Sequence, residues 1–99
     1  VSANPARGEA SLRVHGEAVV LRPSFAALVA AEQELGPLFA LVERAADGRL
    51  ALGEMVALFW HCAPEGSSRE ALGEAVVAQG LAGVMPVLRV LLGQILQGR

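Results

Sequence analysis

His61 and Cys62 are the one place in this chain where a nucleophile and a base stand side by side. A thiolate activated by an imidazole could attack a carbonyl or a disulfide, provided the ring faces the sulfur and a third group orients the ring. The pair closes the run LALGEMVALFWHC, which reads as helix. Successive helical positions point about 100° apart, so the two side chains would not face each other. No third group stands at a spacing that would orient His61. Cys62 therefore reads as a small core residue. As the only cysteine, it can form neither an intrachain disulfide nor a thiolate metal cluster. His15 sits in a turn without further ligands in reach, and reads as a surface residue. Glu32 and Glu34 would lie on different faces of one helix, which excludes a carboxylate pair for acid–base work. Gly80 and Gly83 match no phosphate-cradling spacing. The expectation is a non-enzymatic protein with no catalytic residue, metal, cofactor or small-molecule substrate.

The elements that position these residues come from hydrophobic spacing and turn residues. Ninety-nine residues suffice for one domain with one core, and 54% hydrophobic residues exclude disorder. Residues 1–9, with Asn4-Pro5 and Gly8, read as a flexible tail, and residues 10–97 as a single α+β domain. Ala10 to Val14 and Glu17 to Arg22 form two short strands around His15-Gly16, where Gly16 can take the positive φ of a tight turn. A two-residue turn would put Leu12, Val14, Val19 and Leu21 on one face; a three-residue turn would bury Ala18 and Val20 instead.

Pro23 ends the second strand, and Ser24 caps a helix whose apolar stripe is Phe25, Leu28, Val29 and Leu35. Gly36 stops it, and Pro37 opens a second helix with Leu38, Leu41, Val42 and Ala45 inward. A third helix, Leu52 to Ala63, buries Leu52, Met55, Val56 and Phe59 and leaves Glu54 and His61 wet. Leu58 and Trp60 flank its core face ambiguously. Ser67 and Glu70 form a capping-box pattern that opens a fourth helix with Leu72, Ala75 and Val76 inward, stopped by Gly80. A fifth runs from about Gly83 to Gln97, with Pro86 near its start. The fold class is α+β: a short N-terminal β-hairpin followed by a compact bundle of four to five short helices.

Glu32 falls within the apolar stripe of the first helix, where a carboxylate needs a partner or water. A structural ion pair with Arg13 or Arg22 is expected; a solvated rim or a basic group of a partner would serve as well. The fifth helix carries two stripes, Val84-Val87-Leu88-Leu91-Ile95 and the adjoining Met85-Leu92-Leu96, interrupted by Arg89. Either the helix is central and both stripes are core, or the second stripe, with Trp60, binds a partner helix.

The net charge of −2, with arginines scattered singly and no lysine, argues against nucleic-acid binding. The longest uncharged run is broken by glycine and proline, so no membrane span is expected. The opening residues hold no apolar signal-peptide core, and the expected compartment is the cytoplasm.

Taken in order, VHGEAVVLRPSFAALVAAEQELGPLFALVERAADGRLALGEMVALFWHCA and the closing GLAGVMPVLRVLLGQIL resemble the gene transfer agent family of small tail proteins from alphaproteobacteria. A hairpin ending in Leu-Arg leads into a helix of the type Ala-Leu-x-x-x-Glu-x-x-x-Gly, matched by Ala27, Leu28, Glu32 and Gly36. The next helix begins at Pro37. The likeness spans Ala10 to Leu96. It implies a phage tail assembly chaperone that binds the helical tape-measure protein, or another tail protein, during tail assembly. Some family members are instead labelled tail tube proteins, which implies a structural component that self-associates, as a homo-oligomer, and remains in the particle. The resemblance thus places the protein at phage-like particles. Two short strands suit the chaperone better than the extended sheet of a tube wall.

Overall fold

The alternation of apolar and polar residues from Ala10 onward becomes a two-stranded antiparallel sheet in the computed structural model, which describes residues 9–98. Strand β1 (Ala10–Val14) pairs with β2 (Glu17–Leu21) in the register Leu12 to Val19 and Val14 to Glu17. His15 and Gly16 make the two-residue turn with φ of 51° and 80°, the paired left-handed conformation that matches strand twist. Ala10, Leu12, Val14 and Leu21 are buried on one face, while Ala18 is exposed. Val20, on the other face, is buried as well.

Five helices follow: α1 (Phe25–Leu35), α2 (Leu38–Ala46), α3 (Leu52–Cys62), α4 (Arg69–Gln79) and α5 (Leu81–Gln97). The α+β class and the element order thus match the sequence expectation. Helix α3 is the axis of the core. Met55 to Phe59 form an unbroken buried run and Cys62 is buried one turn on, as a helix enclosed on all sides requires. It packs between α1 and α4, while α5 covers α4, β1 and α2. Leu58, ambiguous by spacing, is fully buried, and Leu52, assigned to the core stripe, is 44% exposed.

The caps explain where the helices begin and end. Ser24 Oγ accepts from the Ala27 amide at 3.2 Å and starts α1. The cap of α4 is Ser68, not Ser67: Ser68 Oγ accepts from the Ala71 amide at 3.1 Å. Ser67 Oγ instead donates to the Pro64 carbonyl at 2.6 Å, closing the preceding loop. Gly80, at φ 83°, ends α4 and starts α5, so α5 begins two residues earlier than expected and Pro86 lies inside it. Proline there cannot donate to the Ala82 carbonyl, but both residues face solvent, where water can satisfy that oxygen.

The buried face of α1 differs from the expected one. Phe25 is 85% exposed and Val29 is at the surface, while Ala31 is fully buried, with Ala27, Leu28 and Leu35 half-buried beside it. Alanine at the contact lets α1 approach α3 closely, which a phenylalanine would prevent.

The hairpin is tied to the helices by polar bonds at its ends. The Arg22 amide donates to the Cys62 carbonyl at 2.8 Å, and Gln79 Nε2 donates to the Arg13 carbonyl at 2.8 Å. Most of the expected tail, residues 1–8, lies outside the described residues; Glu9 is buried and pairs with Arg22.

Candidate interaction surface

The residues singled out for chemistry are separated by their environments. Cys62 is buried, and that burial pushes its thiol up to about 12. A thiol held protonated is a poor nucleophile and a poor metal ligand. His61 turns away from it toward α1, and its side chain is mostly buried rather than wet. Among the described residues, no three His, Cys, Asp or Glu side chains group as metal ligands would.

What His61 does instead is join a polar knot between α1, α3 and α4. Its Nε2 lies 2.7 Å from Glu34 Oε1. Arg69 grips the same carboxylate with both terminal nitrogens, at 2.6 Å and 2.9 Å. The guanidinium also sits 4.4 Å from the centre of the Trp60 ring, a cation–π contact. Trp60 Nε1 donates to the Ser67 carbonyl at 2.8 Å, so its one polar atom is satisfied within the fold. Beside the knot lies a shallow pocket of about 390 Å³ lined by Ser24, Ala27, Ala30, Trp60 and Ser67.

Hydrogen bonds from Arg69 first, then from His61, hold the Glu34 carboxyl at about 2, below its ordinary 4.5. A carboxylate whose pKa is depressed on folding stabilises the fold fully above the unfolded value. That contribution shrinks as pH falls below 4.5 and is gone near 2. Acid unfolding followed by circular dichroism should therefore be steeper between these two values in the wild type than in Glu34→Gln. Equal pH slopes would show that the knot contributes nothing. Solvent screening keeps the effect small, because Glu34 is 38% exposed.

The expected ion pair of Glu32 with Arg13 or Arg22 does not form. Glu32 is exposed, and its Oε2 accepts from the Leu38 amide at 3.1 Å. It thus caps the first turn of α2, where Pro37 offers no side-chain acceptor. Arg13 donates to the Gly16 carbonyl at 2.9 Å and Arg22 to Glu9 Oε2 at 3.1 Å. A pair with Glu54 engages Arg44 instead, at 2.6 and 2.7 Å, and joins α2 to α3. Arg44 holds the Glu54 carboxyl below the usual range, helped by the Ala51 amide.

The four residues expected to bind a partner differ in exposure. Trp60 is half-buried and committed to Arg69 and Ser67. Met85 and Leu92 are half-buried against the core, and Leu96 is 54% exposed at the far end of α5. A second apolar surface was missed by sequence reasoning. An open groove of about 720 Å³ runs between α3 and α4, lined by Leu52, Val56, Gly73 and Val77, with Glu70 and Glu74 on its lip. Val77 is 66% exposed. The available signal was phase: Val77 falls outside the stripe of Leu72, Ala75 and Val76, as Phe39, 71% exposed, falls outside that of α2. No single helix among the described residues is long and apolar enough to cross a membrane, and α1 and α2 reach that length together only across a 75° bend.

This arrangement, a small helical domain with exposed apolar surfaces and a buried inert thiol, suits contact with other proteins. No curated protein and no solved structure matches the chain. A family model described as "Phage tail tube protein, GTA-gp10" matches residues 7–98, nearly the whole of it. The chain therefore belongs to the gene transfer agent tail protein family that carries this description.

Proposed function

We propose that this protein is a structural component of a phage-like tail, which self-associates and stays in the finished particle. The family match across residues 7–98, under the description of a tail tube protein, is the observation that carries this reading. It acts through surfaces and not through catalysis: the one thiol is buried, and the polar side chains around His61 are spent on holding helices together. The relevant surfaces are the α3–α4 groove and the exposed end of α5, and the partners are further copies of itself and other tail proteins. Its place in the cell is the assembling particle.

One observation favours a second reading. Among the described residues the only sheet is a two-stranded hairpin, a meagre contribution to a tube wall. A tail assembly chaperone, holding a helical tape-measure protein until the tube forms, would need no sheet and could use the same apolar groove. Purified particles separate the two. A tagged copy retained in fixed numbers per particle supports the structural role. A copy absent from particles, but recovered from lysate with a long helical tail protein, supports the chaperone.

A further inference from the structure

We propose that the α3–α4 groove of one copy receives the outer flank of α5 from the next copy, head to tail. The proposal rests on the self-association just argued and names its contact. Arg89 is the starting point. Every other arginine among the described residues has a partner: Arg13 the Gly16 carbonyl, Arg22 Glu9, Arg44 Glu54, Arg49 Asp47 and Arg69 Glu34. Arg89 alone has neither an ion pair nor a hydrogen bond, and it is exposed. It shares one side of α5 with the half-buried Met85 and Leu92 and the exposed Leu96, at the spacing i, i+4, i+7 and i+11.

The groove has the complementary character. Its apolar walls include the exposed Leu52 and Val77. Gly53 and Gly73 keep it wide: a Cβ at Gly53 would meet nothing within 4 Å, and one at Gly73 would only just touch Val56. Glu70 and Glu74 on its lip carry no ion pair or hydrogen bond, one helical turn apart. Arg69 also lines the groove but is committed to Glu34, so the trough offers two free carboxylates to a flank carrying one free guanidinium. The dimensions agree where the charges and the exposed apolar ends are concerned, since Arg89 to Leu96 and Glu70 to Val77 each span about 10 Å of helix axis. With Leu92 and Leu96 against Leu52 and Val77, Arg89 comes within reach of Glu70 and Glu74. The two patches are different, so each docked copy leaves one groove and one α5 flank free. Such a contact propagates into a ring or a stack rather than closing as a dimer.

The test is a charge swap in the full chain, with association measured by sedimentation equilibrium and folding checked by circular dichroism. All three positions are exposed, so the variants should fold. The wild type should self-associate, and either Arg89→Glu or the double change Glu70→Arg with Glu74→Arg should weaken association about tenfold or more. The triple variant should recover to within about threefold of wild type, because the charges again oppose. Association that neither reversal weakens overturns the groove contact and leaves self-association through another face. A wild type that stays monomeric at every attainable concentration also overturns it; fixed copy numbers in particles would then still uphold the structural role.

Discussion

Replacing Phe59 with alanine should cost about 3–5 kcal/mol, while the same change at Phe25 or Phe39 should stay within about 0.5 kcal/mol. The chain has three phenylalanines, and helical spacing places Phe25 as well as Phe59 in the core. Phe59 is fully buried on α3, whereas Phe25 and Phe39 are 85% and 71% exposed. Truncating Phe59 removes the transfer free energy of a whole ring and leaves a cavity in the core. A small domain has a total stability of about 5–15 kcal/mol, so a large share would be lost. Each kcal/mol moves the melting temperature of a domain this size by roughly 4–8 °C, which makes the contrast easy to read by thermal melting. Similar melting temperatures for the three variants would show that α3 is not the axis of the core.

The second large effect concerns the two helices that compete for that central place. Leu58→Asp should abolish the folded state, and Leu96→Asp should leave stability within about 0.5 kcal/mol of wild type. Leu58 is fully buried, and a carboxylate there would have no cation or hydrogen-bond donor assigned to it. The cost is the lost burial of leucine plus several kcal/mol for desolvating the charge or for protonating it. Leu96 is 54% exposed and tolerates a charge. Urea titrations of both variants decide the point: a cooperative, wild-type-like transition for Leu58→Asp would contradict the packing described above. Leu92 is a poorer probe than Leu96 of any partner contact, because it also packs against the core.

How much of this was legible in the chain depends on whether a residue's role is local. The hairpin was readable because alternation and a His-Gly turn act over a few residues, and both left-handed φ values fall at those two positions. The helix breaks at Gly36 and Gly80 were readable for the same reason. The face of α1 was not. With apolar residues nearly all round, spacing fixes no phase, and the large Phe25 drew the stripe away from the alanines that make the contact. In α3 the same lack of phase hid the fact that Leu58 is core and Leu52 is surface. The same shift of face carries Glu32, expected within the apolar stripe, into solvent, where it caps α2. The knot of Glu34, His61 and Arg69 brings together residues 27 and 35 positions apart, and no local pattern announces such a meeting. The groove between α3 and α4 exists only after the helices pack, although the out-of-phase Val77 hinted at it.

The tail-protein family was legible as an order of weak motifs, and the choice between tube component and chaperone was not. In the chain, both roles look like surplus apolar surface on a small helical domain. The measurement that separates them is the copy number of a tagged chain in purified particles from its native host, by quantitative mass spectrometry against the other tail proteins. The structural reading predicts a fixed, near-stoichiometric number of copies that survives stringent purification. Particles that are intact and infectious, or competent for gene transfer, but contain no copies would contradict it.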